Sequence, residues 1–277
     1  MTFPSPPTPA PPPPDPAQPL ADPAQPLTGQ RILVTGASAD SDIGLAICRH
    51  LATAGARLVL TGRRLAPLEE TRQQLAEPER HRIAPRDLTA DPDSLPAWLR
   101  TLADADGPFS GLVHSASRQS YSPLRTVTAA QCHDTFALNV SVALLLVRAL
   151  QQRHVAALPA SVVLLGSAAG SRGQKGRALY AASKAALAAL ARSLALELAA
   201  RPIRVNVVAP AVVAGRQAER QFALLSPEQN QALAAAHPLG YGTPDAVARA
   251  VAFLLDPVQS GWITGTVLAV DGGYAAG

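Results

Sequence analysis

Arg31-Ile-Leu-Val-Thr35-Gly36-Ala-Ser38-Ala-Asp-Ser41-Asp42-Ile43-Gly44 passes from a β-rich pentapeptide, through a glycine-bearing turn, into a helical stretch beginning near Ile43. Such a turn aims the helix N-terminus, with its unpaired N–H groups and positive dipole end, at an anion lying beyond the strand. Glycine also ends strands for purely structural reasons. Its place here, between the first strand and the first helix, points to a nucleotide pyrophosphate.

Outward from this unit the alternation continues. Residues 31–35, 57–61, 81–86, 111–115, 161–167, 205–208 and 267–270 read as strands. Helices begin near Ile43, Leu65, Ser94, Ala129, Leu179 and Pro244, with a less regular one after Gly215. Strands separated by helices must run parallel with right-handed crossovers. The expected fold is therefore α/β, a single Rossmann-type doubly wound parallel sheet of about seven strands flanked by helices, with its ligand beyond the strands' carboxyl ends.

Composition agrees with one such domain over residues 29–277. Hydrophobic residues make up 48% but aromatics only 4%, so the core must be aliphatic and base stacking on aromatic side chains is excluded as a binding mode. A charge of +4 without any dense Lys/Arg run argues against nucleic acid as a partner. Cys48 and Cys132 fall in separate predicted helices and are too few for a metal cluster or disulfide framework. No metal site and free thiols are expected. The longest apolar runs are broken by Arg148 or by Ser183 and Lys184, and no secretory pattern opens the chain. No membrane partner and a cytoplasmic location are expected.

Residues 1–28 are different in kind. They hold twelve prolines and no Lys or Arg, and Asp15-Pro-Ala-Gln-Pro-Leu20 repeats as Asp22-Pro-Ala-Gln-Pro-Leu27. A disordered, extended Pro-rich tail is expected, serving as a spacer, a ligand for a proline-recognition module or an inert extension.

Tyr180-Ala-Ala-Ser-Lys184 puts a phenol and an ammonium at i and i+4, on one helical face. A phenol titrating near 10 is a poor acid–base catalyst at neutral pH, and a neighbouring cation favours its ionised form. Ser167 closes a predicted strand upstream, and Asn139 lies within the helix before it.

These residues, the Thr35–Gly44 turn, Arg204-Val-Asn-Val-Val-Ala-Pro210 and Trp262-Ile-Thr-Gly-Thr-Val-Leu-Ala-Val-Asp-Gly-Gly273 together resemble the short-chain dehydrogenase/reductase family. Within it, His237-Pro-Leu-Gly240 and Thr243-Pro-Asp245 are nearest to 3-oxoacyl-[acyl-carrier-protein] reductases and their secondary-metabolism relatives. The resemblance implies that Tyr180 exchanges the proton with the alcohol oxygen and Ser167 hydrogen-bonds that oxygen. It further implies that Lys184 tunes Tyr180 and holds the nicotinamide ribose, and that Asn139 anchors a water in the proton relay. It places Gly36, Ser38, Ser41, Asp42, Ile43, Gly44, Arg63, Arg64, Asp87, Leu88, Ser115, Ala116, Tyr180, Lys184, Pro210 and Val213 around the cofactor.

The chain departs from the family pattern at several points. Its turn is two residues longer than Thr-Gly-x-x-x-Gly-x-Gly, and Asp42 replaces the middle glycine. An acid beside a pyrophosphate must turn away, with Ser41 or Asp42 capping the helix. His114-Ser115-Ala116-Ser117 stands for the usual Asn-Asn-Ala-Gly, and His114 reads as a hydrogen-bonded structural residue. Ala211 replaces a glycine, and Gly215 stands where a threonine often meets the cofactor; the Val213 N–H remains for the carboxamide. Thr61-Gly62-Arg63-Arg64 has arginines where an NAD site holds an acid, so NADP(H) is favoured over NAD(H). Asp87 matches the adenine-side aspartate or else caps the next turn.

The expected activity is NADPH-dependent reduction of a ketone, of 3-oxoacyl or polyketide type, to a secondary alcohol. The alternatives are an alcohol dehydrogenase running toward the ketone, or a cofactor-binding sensor or scaffold without turnover. Residues 212–237 should cover the substrate with a mixed, partly apolar lid bearing Gln217, Phe222, Leu224 and Leu225. In an ungapped comparison the carrier-docking arginines of the oxoacyl reductases fall on Leu145 and Leu196, leaving Arg118, Arg172, Lys175 and Arg177 as a substitute basic rim. The apolar helices at 137–150 and 179–200 predict a homodimer or homotetramer.

Overall fold

The computed structural model describes residues 25–276. Seven strands, β1 Arg31–Thr35, β2 Arg57–Thr61, β3 Arg82–Ile83, β4 Phe109–His114, β5 Ala156–Leu165, β6 Ile203–Pro210 and β7 Val267–Val270, form one sheet in the order β3-β2-β1-β4-β5-β6-β7. Every pairing is parallel. The helices are α1 Asp42–Thr53, α2 Leu65–Gln73, α3 Leu95–Asp106, α4 Ala129–Phe136, α5 Val142–Leu150, α6 Ala178–Leu198, α7 Arg216–Phe222, α8 Pro227–Ala235, α9 Pro244–Leu255 and α10 Pro257–Ser260.

The period-2 alternation of the strands sorts the core into two layers. On one face Leu33, Leu112 and Val162 meet Leu99 of α3, Leu146 of α5 and Leu187 of α6. On the other, Ile32, Val34 and Val113 meet Ile47 and Leu51 of α1 and Val251 of α9. The chain winds outward from β1 to β3, then returns to place β4 on the other side of β1. Between β1 and β4 the direction of winding reverses, and a crevice opens at the strands' carboxyl ends.

The expected doubly wound sheet is present, with local differences. The strand expected at 81–86 contracts to Arg82–Ile83 on an edge. Just before it, His81 turns its ring inward so that Nδ1 accepts from the Leu58 N–H at 3.1 Å, replacing a ladder bond. β5 begins earlier than expected because Phe109 pairs with Ala156 ahead of a register shift.

The tail expected over 1–28 lies outside the described residues as far as residue 24. Its last part belongs to the domain: Leu27 is fully buried and its N–H bonds the Ala54 carbonyl at 2.9 Å. The second hexapeptide thus ends in a core anchor.

Two helical segments, Ala129–Leu150 and Ala178–Leu198, are apolar and long enough to cross a membrane by length and composition. The expectation of none rested on unbroken runs; isolated polar residues such as Ser183 and Lys184 interrupt the run without lowering the average much. Both segments bury one face on the sheet. Leu144 and Leu196 remain exposed, on the helices where self-association is expected.

Candidate active site

The turn after β1 is shaped by close backbone approach. Gly36 has φ +68°, and a Cβ there would lie 2.7 Å from the Ala116 nitrogen. A Cβ on Gly44 would lie 2.0 Å from the Gly36 carbonyl oxygen, so any side chain would push α1 off the turn. Ser41 caps α1, accepting from the Gly44 N–H at 3.1 Å. No intrachain partner takes the Asp42 and Ile43 amides among the described residues. These first-turn donors and the positive helix end fit a pyrophosphate.

Asp42 turns away from that position. Its carboxylate accepts from the Arg216 backbone N–H at 2.8 Å and from Arg216 Nε at 2.9 Å, while Arg216 also donates to the Ala39 carbonyl. A Cβ at Gly215 would come within 2.6 Å of Asp42 Oδ2. The acid replacing the middle glycine and the glycine replacing the threonine are therefore one contact. Nothing local signals it, since the partners are 174 residues apart.

Further along the crevice, Arg64 pairs with Asp40, a residue of the lengthened turn that also accepts from Ser38 Oγ. Arg63 has no carboxylate partner among the described residues. Asp87 does cap the next turn, accepting from the Thr89 N–H at 2.9 Å and its hydroxyl at 2.7 Å, which hold the carboxyl below the usual range. It still faces the crevice beside Leu88.

His114 is buried at the end of β4. Leu138's carbonyl can only accept, so His114 Nε2 donates to it at 3.2 Å and Nδ1 accepts from the Thr35 hydroxyl at 3.0 Å. Burial, with Lys184 nearby, pushes its pKa down to about 4, in keeping with a structural role. A depressed folded-state pKa gives stability that is fully present above the unfolded value near 6.5 and lost as pH falls toward about 4. His114→Asn is expected to flatten this loss, worth roughly 3 kcal/mol, in urea unfolding between pH 7 and 4. A variant as acid-sensitive as the parent would disprove the assignment.

Ser167, Tyr180 and Lys184 converge where β5 and α6 meet. Ser167 follows the end of β5; its Oγ lies 3.4 Å from the Pro210 carbonyl, accepts from the Ala169 N–H at 3.2 Å and faces the Tyr180 phenol. Lys184 Nζ is 5.7 Å from the Tyr180 ring centroid and donates to the Leu165 carbonyl at 2.6 Å. Burial, reinforced by Arg177, pushes Lys184 down to about 7. Tyr180 itself is raised by burial, opposed by Arg177 and then by Ser167. Lys184 thus lies beside the phenol as the i and i+4 spacing expects, and the Arg177 guanidinium is a second cation on the same ring, 4.3 Å from its centroid.

Asn139 is fully buried in a π-helical turn, Ala137–Ser141, between α4 and α5. Its amide bridges the Arg118 N–H and carbonyl at 2.8 and 3.1 Å and donates to Ser183 Oγ at 3.0 Å. A π-turn with a spent amide at its centre ties the helix to the loop after β4 and to α6. Val213 makes a parallel bridge with Gly242, in which Ala214 and Gly242 supply the N–H donors, leaving the Val213 N–H for the crevice.

One cleft of about 990 Å³ gathers all the expected cofactor residues except Gly44, which packs behind the turn, and all the expected catalytic residues except Asn139, which braces its wall. Its remaining wall corrects the expected lid. Of Gln217, Phe222, Leu224 and Leu225, only Gln217 faces the cleft; Phe222 stacks on Tyr241 at 5.1 Å and Leu224 is exposed. The face that α7 presents is polar, with Arg216, Gln217, Arg220 and Gln221, because helical periodicity turns its aromatic toward Tyr241. The expected substitute rim is split: Arg118, paired with Asp134, and the buried Arg177 line the cleft, whereas Arg172, which donates to the Tyr274 carbonyl, and the exposed Lys175 do not.

Residues 36–275 match the family model described as enoyl-(acyl carrier protein) reductase. Among curated proteins, the chain is 36% identical to a galactitol 2-dehydrogenase (L-tagatose-forming) of Cereibacter sphaeroides, over 87% of this chain and 93% of that one. It is 31% identical to a 3-oxoacyl-[acyl-carrier-protein] reductase of Vibrio cholerae, over 88% and 97%. A solved structure from Beutenbergia cavernae, described as an NAD(P)-dependent gluconate 5-dehydrogenase with bound NADP, superposes with TM-score 0.82 at 30% identity, covering 91% of this chain and 98% of that one. With the switch-point crevice, the glycine turn and the Ser167, Tyr180 and Lys184 cluster in place, the chain belongs to the short-chain dehydrogenase/reductase family of NAD(P)-dependent oxidoreductases.

Proposed function

We propose that the chain reduces a ketone to a secondary alcohol with NADPH. The observation that carries this is Tyr180, held between Ser167, Arg177 and Lys184 at the mouth of the crevice. The nicotinamide supplies the hydride when bound. Tyr180 gives its proton to the forming alkoxide, and the Ser167 hydroxyl donates to the same oxygen and fixes its position. Lys184 would hold the nicotinamide ribose, and its ammonium beside the ring favours release of the phenol proton. Asn139 braces the wall that keeps these groups in register. The first-turn amides of α1 would hold the pyrophosphate, and the Val213 N–H the nicotinamide carboxamide. The test is NADPH oxidation across a panel of ketones; binding without oxidation throughout would reject the reading in favour of a sensor.

The preference for NADPH rests on Arg63, which forms no salt bridge among the described residues though Asp87 lies within its electrostatic reach, and Arg64, whose partner Asp40 is exposed and can yield to a 2′-phosphate. Arg63→Ala with Arg64→Ala is expected to weaken NADPH binding by about 10- to 100-fold, one to two charge-assisted hydrogen bonds, with little change for NADH. Equal losses for both cofactors in a fluorescence titration would reject the preference. The free thiols of Cys48 and Cys132 suit the proposed cytoplasmic location.

A further inference from the structure

Arg177 stands at the N-terminal end of α6, one helical turn before Tyr180. It is 7% exposed, with its guanidinium carbon 4.3 Å from the Tyr180 ring centroid and 5.0 Å from that of Tyr121. Its only side-chain acceptors are neutral and distant, Gln174 Oε1 at 3.4 Å and Gln119 Oε1 at 3.3 Å, and Nε has none. No carboxylate pairs with it among the described residues, whereas Arg64, Arg118 and Arg216 each have one. A dry charge is costly unless it is paired, and two cation–π contacts offset only part of that cost.

The unanswered charge opens on the cleft that holds Ser167 and Tyr180. The opposite wall contributes Gln217, whose amide donates to the same Gln119 oxygen at 3.2 Å, and Arg220. An apolar ketone would offer the guanidinium nothing beyond its long contacts to neutral amide oxygens. A planar anion with a single negative charge would answer the guanidinium fork and displace the long glutamine contacts.

We infer that Arg177 recognises a carboxylate carried by the substrate, separated from the reacting carbonyl by a short carbon bridge. The bridge is short because the guanidinium is stacked on the ring whose hydroxyl delivers the proton. The substrate class is therefore oxo acids and their hydroxy-acid products. This inference rests on the carbonyl-reductase reading above and sharpens it.

The test compares acetoacetate with acetoacetamide, and levulinate with methyl levulinate, under NADPH. In the parent, kcat/KM for the charged member should exceed that for its neutral partner by about 10- to 100-fold, one charge-assisted contact. Arg177→Gln should collapse that ratio and Arg177→Lys should retain part of it. Because Arg177 also acts on the Tyr180 phenol, the ratio is the readout; a purely structural or electrostatic role would lower both members equally. Turnover of neutral ketones with no charged advantage would overturn the inference and leave the reductase reading standing. If no ketone of either kind is reduced, the reductase reading fails, and calorimetry with malonate on the NADP-loaded protein decides the anion site alone. Heat with the parent but not with Arg177→Gln would support it, and no heat with either would overturn it.

Discussion

Tyr180→Phe is expected to lower turnover by about 10²- to 10⁴-fold, the contribution of a positioned general acid, while NADPH affinity is unchanged. The phenol oxygen is the group facing Ser167, and removing it leaves the ring between Arg177 and Lys184. Burial raises Tyr180, which favours the neutral, proton-donating form at neutral pH. Donation suits reduction, and the variant should lose it at every pH. Measured by single-turnover NADPH oxidation with cofactor binding followed by fluorescence, a residual rate near the parent's would remove Tyr180 from the proton step.

Lys184→Met should abolish turnover and yet stabilise the ligand-free protein at pH 7, by about 1–3 kcal/mol. Replacing a buried charge with an apolar side chain of similar volume is often stabilising on this scale. Lys184 is 4% exposed, and Met forfeits only the bond to the Leu165 carbonyl. The pH dependence provides a second check. The folded-state value near 7 lies below the ordinary lysine value of 10.5, so the unfolded chain binds more protons between them and parent stability rises with pH across that window. The variant should lack the rise. A less stable variant, or one that keeps the rise, would show that Lys184 is charged and well paired in the fold.

Both predictions concern a cluster that is legible in the chain itself. Tyr180 and Lys184 share a helical face by spacing alone, and Ser167 follows a short apolar run, Val162–Leu165, that reads as a buried strand. The glycine turn was legible in part for the same reason: Gly44 is needed because it meets the Gly36 carbonyl within the turn, whereas the approach of Gly36 to Ala116 comes from a segment eighty residues on. Leu27 was not, because proline-rich composition says nothing of a single side chain that finds a pocket over Ala54. The lid misled because its apolar residues were counted without knowing which side of α7 faces in.

Local order, periodicity and catalytic spacing were thus determined by the sequence alone, since they follow from residues within a turn or two of each other. Tertiary structure alone decided which charges are answered. Asp42 turns from the pyrophosphate only because Arg216 arrives from the far end of the chain. Arg64 meets Asp40 across the crevice. Arg177, which reads in the sequence as part of a basic rim, is left buried beside Tyr180 with no acid paired to it among the described residues. A charge's meaning depends on its desolvation and its partner, and both are set by contacts between segments that the chain order keeps far apart.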